Sequence, residues 1–467
     1  MCGLADSSIV DLKIPSTVTY KSRTLKVTAI DEYAFSYCDS LKYVNFAESV
    51  QSLGISCFWD CSELQEVDLP SSLTIIEGYT FYGCIKLRRC DLRYVENIGE
   101  SAFVGTRLEK IYLQKCSELG RCAFVNMRNL REIAIQSELE LIPVDCFKRC
   151  EKLQEISLPN SLKRIEDDAF SSCRSLRELQ LPPNLKYFGD NVIEGDSLIK
   201  KLVIPDSVTE IGFYNYEFLK SITFGTGLNG LPYDYDYKNP MSMRGKIKEK
   251  QCENLEEIII KDSEIEFQLY PFWNNSGEIP PFSNCDIKHY YVGRQLYGTE
   301  RQFDGRYPFE DKYKCKQGET GHIGLLEIAG GCEKVPYFYQ RIDTLLLGER
   351  VSEFCARNIC VDSLKLIRCK SMTPLDIIVI WIGGYVSQMT YANLPVYVPK
   401  GSLAAYQAAD GWKNFWEIRE YDETTGISTV KTKPQETGHN YYDLQGRKLR
   451  EPQKGINIIN GKKVLIK

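Results

Sequence analysis

Apolar residues recur along this chain with a spacing that fits neither a helical period of 3.6 nor the alternation of a single strand. In residues 150–170 they fall at Leu153, Ile156, Leu158, Leu162, Ile165 and Phe170. The stretch reads as three short pieces. Leu153-x-x-Ile156-x-Leu158 is a strand ended by Pro159, which has no N–H for a continuing ladder. Leu162-x-x-Ile165 is a second extended piece. Asp167-Asp168-Ala169-Phe170, with Cys173 beyond it, predicts a tight helical turn whose aspartates cap its free N–H groups. A unit this small cannot bury its own apolar face, so it must stack on copies of itself.

The copies are present. Phe35, Phe58, Phe81, Phe103, Phe124, Phe147 and Phe170 hold one position and Ile193 the eighth, at successive separations of 23, 23, 22, 21, 23, 23 and 23 residues. The strand positions keep the same phase, from Val44 and Phe46 through Ile111 and Leu113 to Leu202 and Ile204. The residue before each phenylalanine is small or slender: Ala34, Cys57, Thr80, Ala102, Ala123, Cys146 and Ala169. Close approach between stacked units would demand this. Burying about six large apolar side chains per unit, at roughly 1.5–3 kcal/mol each, only offsets the entropy of ordering that unit. Stability is therefore expected from contact between units.

The order of these residues resembles the BspA-like leucine-rich repeat family, whose unit runs Leu-Pro-x-x-Leu-x-x-Ile-Gly-x-x-Ala-Phe-x-x-Cys-x-x-Leu. The resemblance is close from Ile30 to Leu231 and looser to about Glu420. It implies a mostly β, α/β repeat fold: a right-handed solenoid with a parallel sheet on its concave face. It also implies a bacterial cell-surface or secreted protein that binds other macromolecules, with adhesion as one known role in the family.

On this reading residues 1–29 are an N-terminal cap, residues 30–231 regular repeats of about 23 residues, and residues 232–330 irregular aromatic-rich insertions. Residues 331–424 hold degenerate repeats and a closing strand and helix, with Ser402 as N-cap, Gly411 as the helix stop, and Trp412 and Phe415 sealing the last rung. Residues 425–467 are a polar linker and a β-module in which Asn460-Gly461 marks a hairpin. This last module resembles the C-terminal β-modules of exported proteins from gut and oral anaerobes, although it is shorter than a full sorting domain.

Composition narrows the class. Of 467 residues, 43% are hydrophobic, and no run approaches the roughly 18 apolar residues of a membrane span. Net charge is −5 with Lys and Arg dispersed, which argues against nucleic acid or an anionic membrane as partner. The first residues lack a secretory signal, so the expected extracellular or outer-membrane location rests on the family resemblance, with a cytosolic protein as the alternative. Cys2 beside Gly3 is read as a chance cysteine and not as a lipid anchor. The 18 cysteines follow the repeat register: Cys38, Cys61, Cys84, Cys150 and Cys173 stand three residues after the phenylalanine, and Cys57 and Cys146 just before it. They are read as compact core groups, not as metal or redox sites.

The candidate binding surface has two parts. Residues flanking the central apolar residue of each strand face outward: Tyr43, Glu66 and Asp68, Arg89, Tyr112, Glu132, Glu155 and Glu178, with the three glutamates forming an acidic ladder. The second part is Tyr233, Tyr235, Tyr237 and Trp273, aromatic side chains on inserted segments, which offer broad rigid contact area. His289, His322 and His439 are far apart in sequence, and no phosphate loop or nucleophile elbow occurs. No cofactor or metal is expected. The reading is a monomeric, non-enzymatic protein that binds a host or microbial protein. A glycan-binding accessory protein using residues 232–309 is the alternative, and a hydrolase built from carboxylates in residues 232–330 is a third.

Overall fold

The computed structural model describes residues 9–212, 216–231, 254–268, 285–297, 321–333, 340–355, 363–378 and 393–422, shorter pieces at 272–274, 277–279, 282, 335 and 338, and the backbone of the strands between 441 and 466. It contains two compact units, residues 1–255 and 256–467. In the first, each repeat contributes one rung, and like positions of successive rungs form columns.

The phenylalanine column is the spine. Neighbouring rings from Phe35 to Phe170 lie 5.2–5.6 Å apart between centroids, with interplanar angles of 3–29°. From Phe58 onward every one is fully buried. The N–H of each phenylalanine donates to the carbonyl of the residue that precedes the next one, as in Phe58 to Thr80 (3.0 Å) and Phe147 to Ala169 (2.8 Å). That carbonyl must come to hydrogen-bond distance of the neighbouring rung, so its residue has to be slender.

The turns are not helical and their aspartates do not cap them. Residues two before and two after each phenylalanine have positive φ, as at Ser56 and Asp60, Cys122 and Asn126, or Asp168 and Ser172. Alternating left- and right-handed residues point every second N–H along the stack, so Asp168, Phe170 and Ser172 donate to Asp190, Val192 and Glu194 of the next rung. A helix would have spent those donors internally. Asp167 caps instead across rungs, its Oδ1 accepting from the Asp190 N–H at 2.8 Å.

Two columns of parallel strands complete the rungs. The longer strands are Asp11–Ile14, Tyr43–Phe46, Glu66–Asp68 and Arg89–Cys90, then Lys110–Leu113, Glu132–Ile135 and Glu155–Ser157, then Lys201–Val203 and Ser221–Phe224. Two-residue strands such as Ser52–Leu53, Ile75–Ile76 and Asn97–Ile98 form the second column, the Leu-x-x-Ile piece of the sequence. Glycine follows several of them. A Cβ on Gly99 would stand 2.3 Å from the Gly78 nitrogen, so no larger residue fits there.

Four expectations change. The Leu179/Leu181 strand is not paired: residues 177–181 form no ladder and run directly into Pro182 and Pro183, which supply no N–H. Ile156 and Leu158 beside it are only half-buried. At the start, the hairpin of Thr17–Tyr20 and Arg23–Lys26 forms with left-handed residues at Lys21 and Ser22, but all eight strand residues are exposed. Strand Asp11–Ile14, pairing with Tyr43–Phe46, covers the first rung. Finally, Ser402 sits at the N-cap of helix Leu403–Ala408 but its hydroxyl donates back to Pro399 at 2.6 Å, and Gly411 (φ 81°) precedes a short 3-10 turn after the helix has ended.

The second unit contains seven parallel strands in one sheet: Glu257–Ile260, Asp286–Arg294, His322–Gly331, Arg341–Leu347, Leu366–Cys369, Val396–Pro399 and Ile418–Tyr421. Two of its longest strands, of 9 and 10 residues, lie inside the stretch that the sequence suggests is irregular. Trp412 is fully buried, donating to the Leu375 carbonyl at 2.7 Å and meeting Tyr406 and Phe415 at 5.2 and 5.7 Å. At the end of the chain, antiparallel strands Gly455–Ile459 and Lys462–Ile466 flank Asn460-Gly461, and Tyr441–Tyr442 pairs beside them.

Candidate functional site

The outward face of the first unit's long strands follows from their pleat. In Tyr43–Phe46 and Lys110–Leu113 exposed and buried residues alternate strictly, so one residue in two is free of the core. Register then lines up Tyr43, Glu66 and Arg89, and separately Lys110, Glu132 and Glu155. Tyr43 and Tyr112 are 39% and 37% exposed.

Several charges on this face pair with one another. Arg89 reaches Glu66 at 3.3 Å and Asp68 at 3.8 Å, and Asn45 donates to Asp68 at 3.1 Å. Glu132 takes Lys110 at 2.7 Å and the Tyr112 hydroxyl at 3.1 Å. The Lys110 hydrogen bond holds the Glu132 carboxyl below its usual range, and the same contact raises Lys110. Of the predicted acidic ladder only Glu132 and Glu155 are register neighbours. Glu178 lies in the unpaired stretch and accepts from its own Gln180 at 3.1 Å. The face is thus a mosaic of tyrosines and paired charges, not an acidic strip.

Tyr233, Tyr235 and Tyr237 lie outside the described residues, and of Trp273 only the backbone, in strand Phe272–Asn274, is described.

Three features were not foreseen. On the turn ridge of the first three rungs Tyr33, Tyr37, Trp59, Tyr79 and Tyr82 form a chain of rings 5.9–6.4 Å apart. Tyr33 and Tyr37 are 50% and 60% exposed. Rungs four to eight carry no aromatic at these positions, so the repeat does not explain the ridge; its signal was a departure from the repeat. In the second unit His289 and His322, distant in sequence, both sit in strands among carboxylates. His322 contacts Asp286 and Asp343, each at 3.1 Å, and His289 contacts Glu327 at 3.4 Å. Burial pushes the Asp343 carboxyl up, but hydrogen bonds from Lys365 and His322 outweigh it and hold the group below its usual range. The third is a notch between rungs at the turn edge, about 550 Å3 in volume.

Among the described residues the cysteines of the columns carry free thiols and, Cys122 apart, are buried. Burial raises the thiol of Cys116 to about 12 and that of Cys38 to about 11. Among the described residues no group of three or more His, Cys, Asp or Glu is arranged to hold a metal ion. No described helix is long and apolar enough to cross a membrane.

Residues 5–131 and 96–223 match the model of the BspA type leucine rich repeat region, in six copies. No curated protein matches the chain. Among solved structures, a leucine-rich repeat protein from Bacteroides ovatus is 21% identical, covering 79% of this chain and 94% of that one, with a TM-score of 0.48. A leucine-rich repeat protein of T. pallidum is 23% identical over 36% of this chain and 78% of that one, TM-score 0.32. The pneumococcal vaccine antigen PcpA is 14% identical over 89% and 90%, TM-score 0.33.

Proposed function

From the premise that residues 5–223 belong to the BspA-type leucine-rich-repeat family, we propose that the chain is a non-enzymatic protein-binding module, displayed at the bacterial surface or released from it. The observation that carries this reading is the outward strand face of the first unit. Its exposed tyrosines and its charges, several of them paired with one another, form an outward area whose residues no core requirement dictates. Tyr43 and Tyr112 are the anchors, since tyrosine supplies large contact area at low entropic cost. Glu66, Asp68, Arg89, Glu132 and Glu155 set charge complementarity and the rate of encounter.

The perturbed groups support a structural and not a catalytic role. Thiols in the turn column and Asp196 are shifted by burial at repeat positions and do not converge on a cleft. Adhesion to a host surface is the narrower reading that the family supports.

A panel of purified extracellular-matrix and mucosal proteins, tested by surface plasmon resonance, checks the proposal. A binder is expected whose affinity falls at least tenfold in Tyr112→Ala/Glu155→Lys, with unchanged circular dichroism. A binder indifferent to these substitutions, or no binder in the panel, contradicts it.

A further inference from the structure

The seven separations along the phenylalanine column are 23 residues except for two, 22 and 21, on either side of Phe103. Of the three residues missing, two fall between Leu92 and Val95 and between Leu113 and Cys116, where two residues stand in place of three, and the third is at the turn edge of rung four. Rungs three and five put two residues, Ile85-Lys86 and Arg128-Asn129, between the third position after the phenylalanine and the next core leucine. Rung four has one, Arg107, between Thr106 and Leu108. Because the turns of rungs three and five keep that residue, its absence from rung four leaves a gap in the ridge, and this is where the 550 Å3 notch lies. That volume is within the roughly 300–1,000 Å3 of small-molecule sites.

The lining has one chemical character. Arg107 and Arg128 are exposed at the mouth, and Arg107 has no ion-pair partner among the described residues. Asn126 Oδ1 already accepts from Arg128 Nε at 2.9 Å, and Asn129 Oδ1 from Lys152 Nζ at 3.1 Å. With both amide oxygens engaged, the asparagines offer N–H groups beside the guanidinium of Arg107. Arg128 Nε also pairs with the Glu151 carboxylate at 3.9 Å. Ile85, 49% exposed, supplies an apolar wall. At the base Gly105 (φ 77°) carries no side chain, and a Cβ there would meet nothing within 4 Å.

A guanidinium group such as that of Arg107 favours a carboxylate, which it binds with charge-assisted bonds. Amide N–H groups suit hydroxyl and ring oxygens, and an aliphatic wall suits the C–H face of a pyranose. An extended peptide finds less purchase, because the N–H groups of Ile85, Gly105 and Arg128 are all spent on backbone carbonyls. We propose that the notch of rung four binds a carboxylate-bearing sugar residue, of the sialic or uronic acid type. This site is separate from the strand face and does not depend on that face binding protein.

Isothermal titration of the full chain with N-acetylneuraminic acid, glucuronic acid, galactose and glucose, with acetate as anion control, tests it. At least one acidic sugar is expected to bind tenfold or more tightly than the neutral sugars and acetate. Arg107→Gln should weaken it about tenfold, the loss of one charge-assisted contact. Gly105→Asn should block it to the same extent without unfolding the chain, since asparagine tolerates positive φ and the space is open. Equal binding of neutral sugars or acetate, absence of binding, or indifference to both substitutions in chains of unchanged urea midpoint would overturn the proposal.

Discussion

Cys61, Cys84, Cys150 and Cys173 share one place in the turn column, and each thiol donates to the carbonyl of the phenylalanine one rung back, at 3.0–3.3 Å. The eighth rung puts Asp196 in that place, 2% exposed, with no hydrogen-bond partner for either carboxyl oxygen among the described residues. Burial raises its pKa to about 8. A protonated carboxyl keeps an O–H donor where the other rungs have a thiol. Because the folded-state pKa is raised, the group is neutral in both states below about pH 4. Above that the unfolded chain releases a proton that the folded chain keeps, so stability falls by roughly 1.4 kcal/mol per pH unit until about pH 8. Asp196→Asn should remove this slope. Its urea midpoint should exceed that of the parent at pH 8 and approach it at pH 4, whereas parallel pH profiles would show that Asp196 is not held neutral.

At the scale of elements, the column of turns is the part least legible in the sequence. The positions of Phe, Cys and the small residue were plain from their period, and so were both extended pieces, since each places apolar residues at fixed offsets. The alternation of left- and right-handed backbone was not, because the residues that adopt positive φ are as different as Tyr33, Asp60, Cys122 and Arg149. Their conformation is imposed by the inter-rung hydrogen bonds, not by local preference. Ser172 (φ 63°), whose N–H donates to Glu194 at 2.6 Å, tests this. Ser172→Val should cost about 1–2 kcal/mol by placing a β-branched residue in the left-handed region, and Ser172→Gly should cost nothing, both measured by urea unfolding. The acidic ladder failed at Glu178 for a related reason: the apolar period of that rung is intact, and pairing is lost only before Pro182-Pro183. The notch was not foreseen: the 22- and 21-residue spacings mark three missing residues, only one of which borders it, and a deletion by itself does not say which side chains line the gap.

For the whole molecule, function was the least legible level. Repetition accounts for most positions, which leaves few residues whose identity needs another explanation. Those few are the tyrosines of the strand face, the aromatic ridge of rungs one to three and the arginines and asparagines beside rung four. The histidines of the second unit show the limit of sequence distance: His322 lies 36 residues from Asp286 and meets it because the strands are register neighbours. All of these readings depend on rungs that stabilise only their immediate neighbours. A double-mutant cycle measures that dependence directly. Phe124 and Phe147, 5.3 Å apart, should show a coupling of about 0.5–1.5 kcal/mol when both are changed to leucine, while Phe58 and Phe147, separated by three rings of the column, should show none. Equal coupling in the two pairs, or none in the adjacent pair, would contradict a stack held together rung by rung.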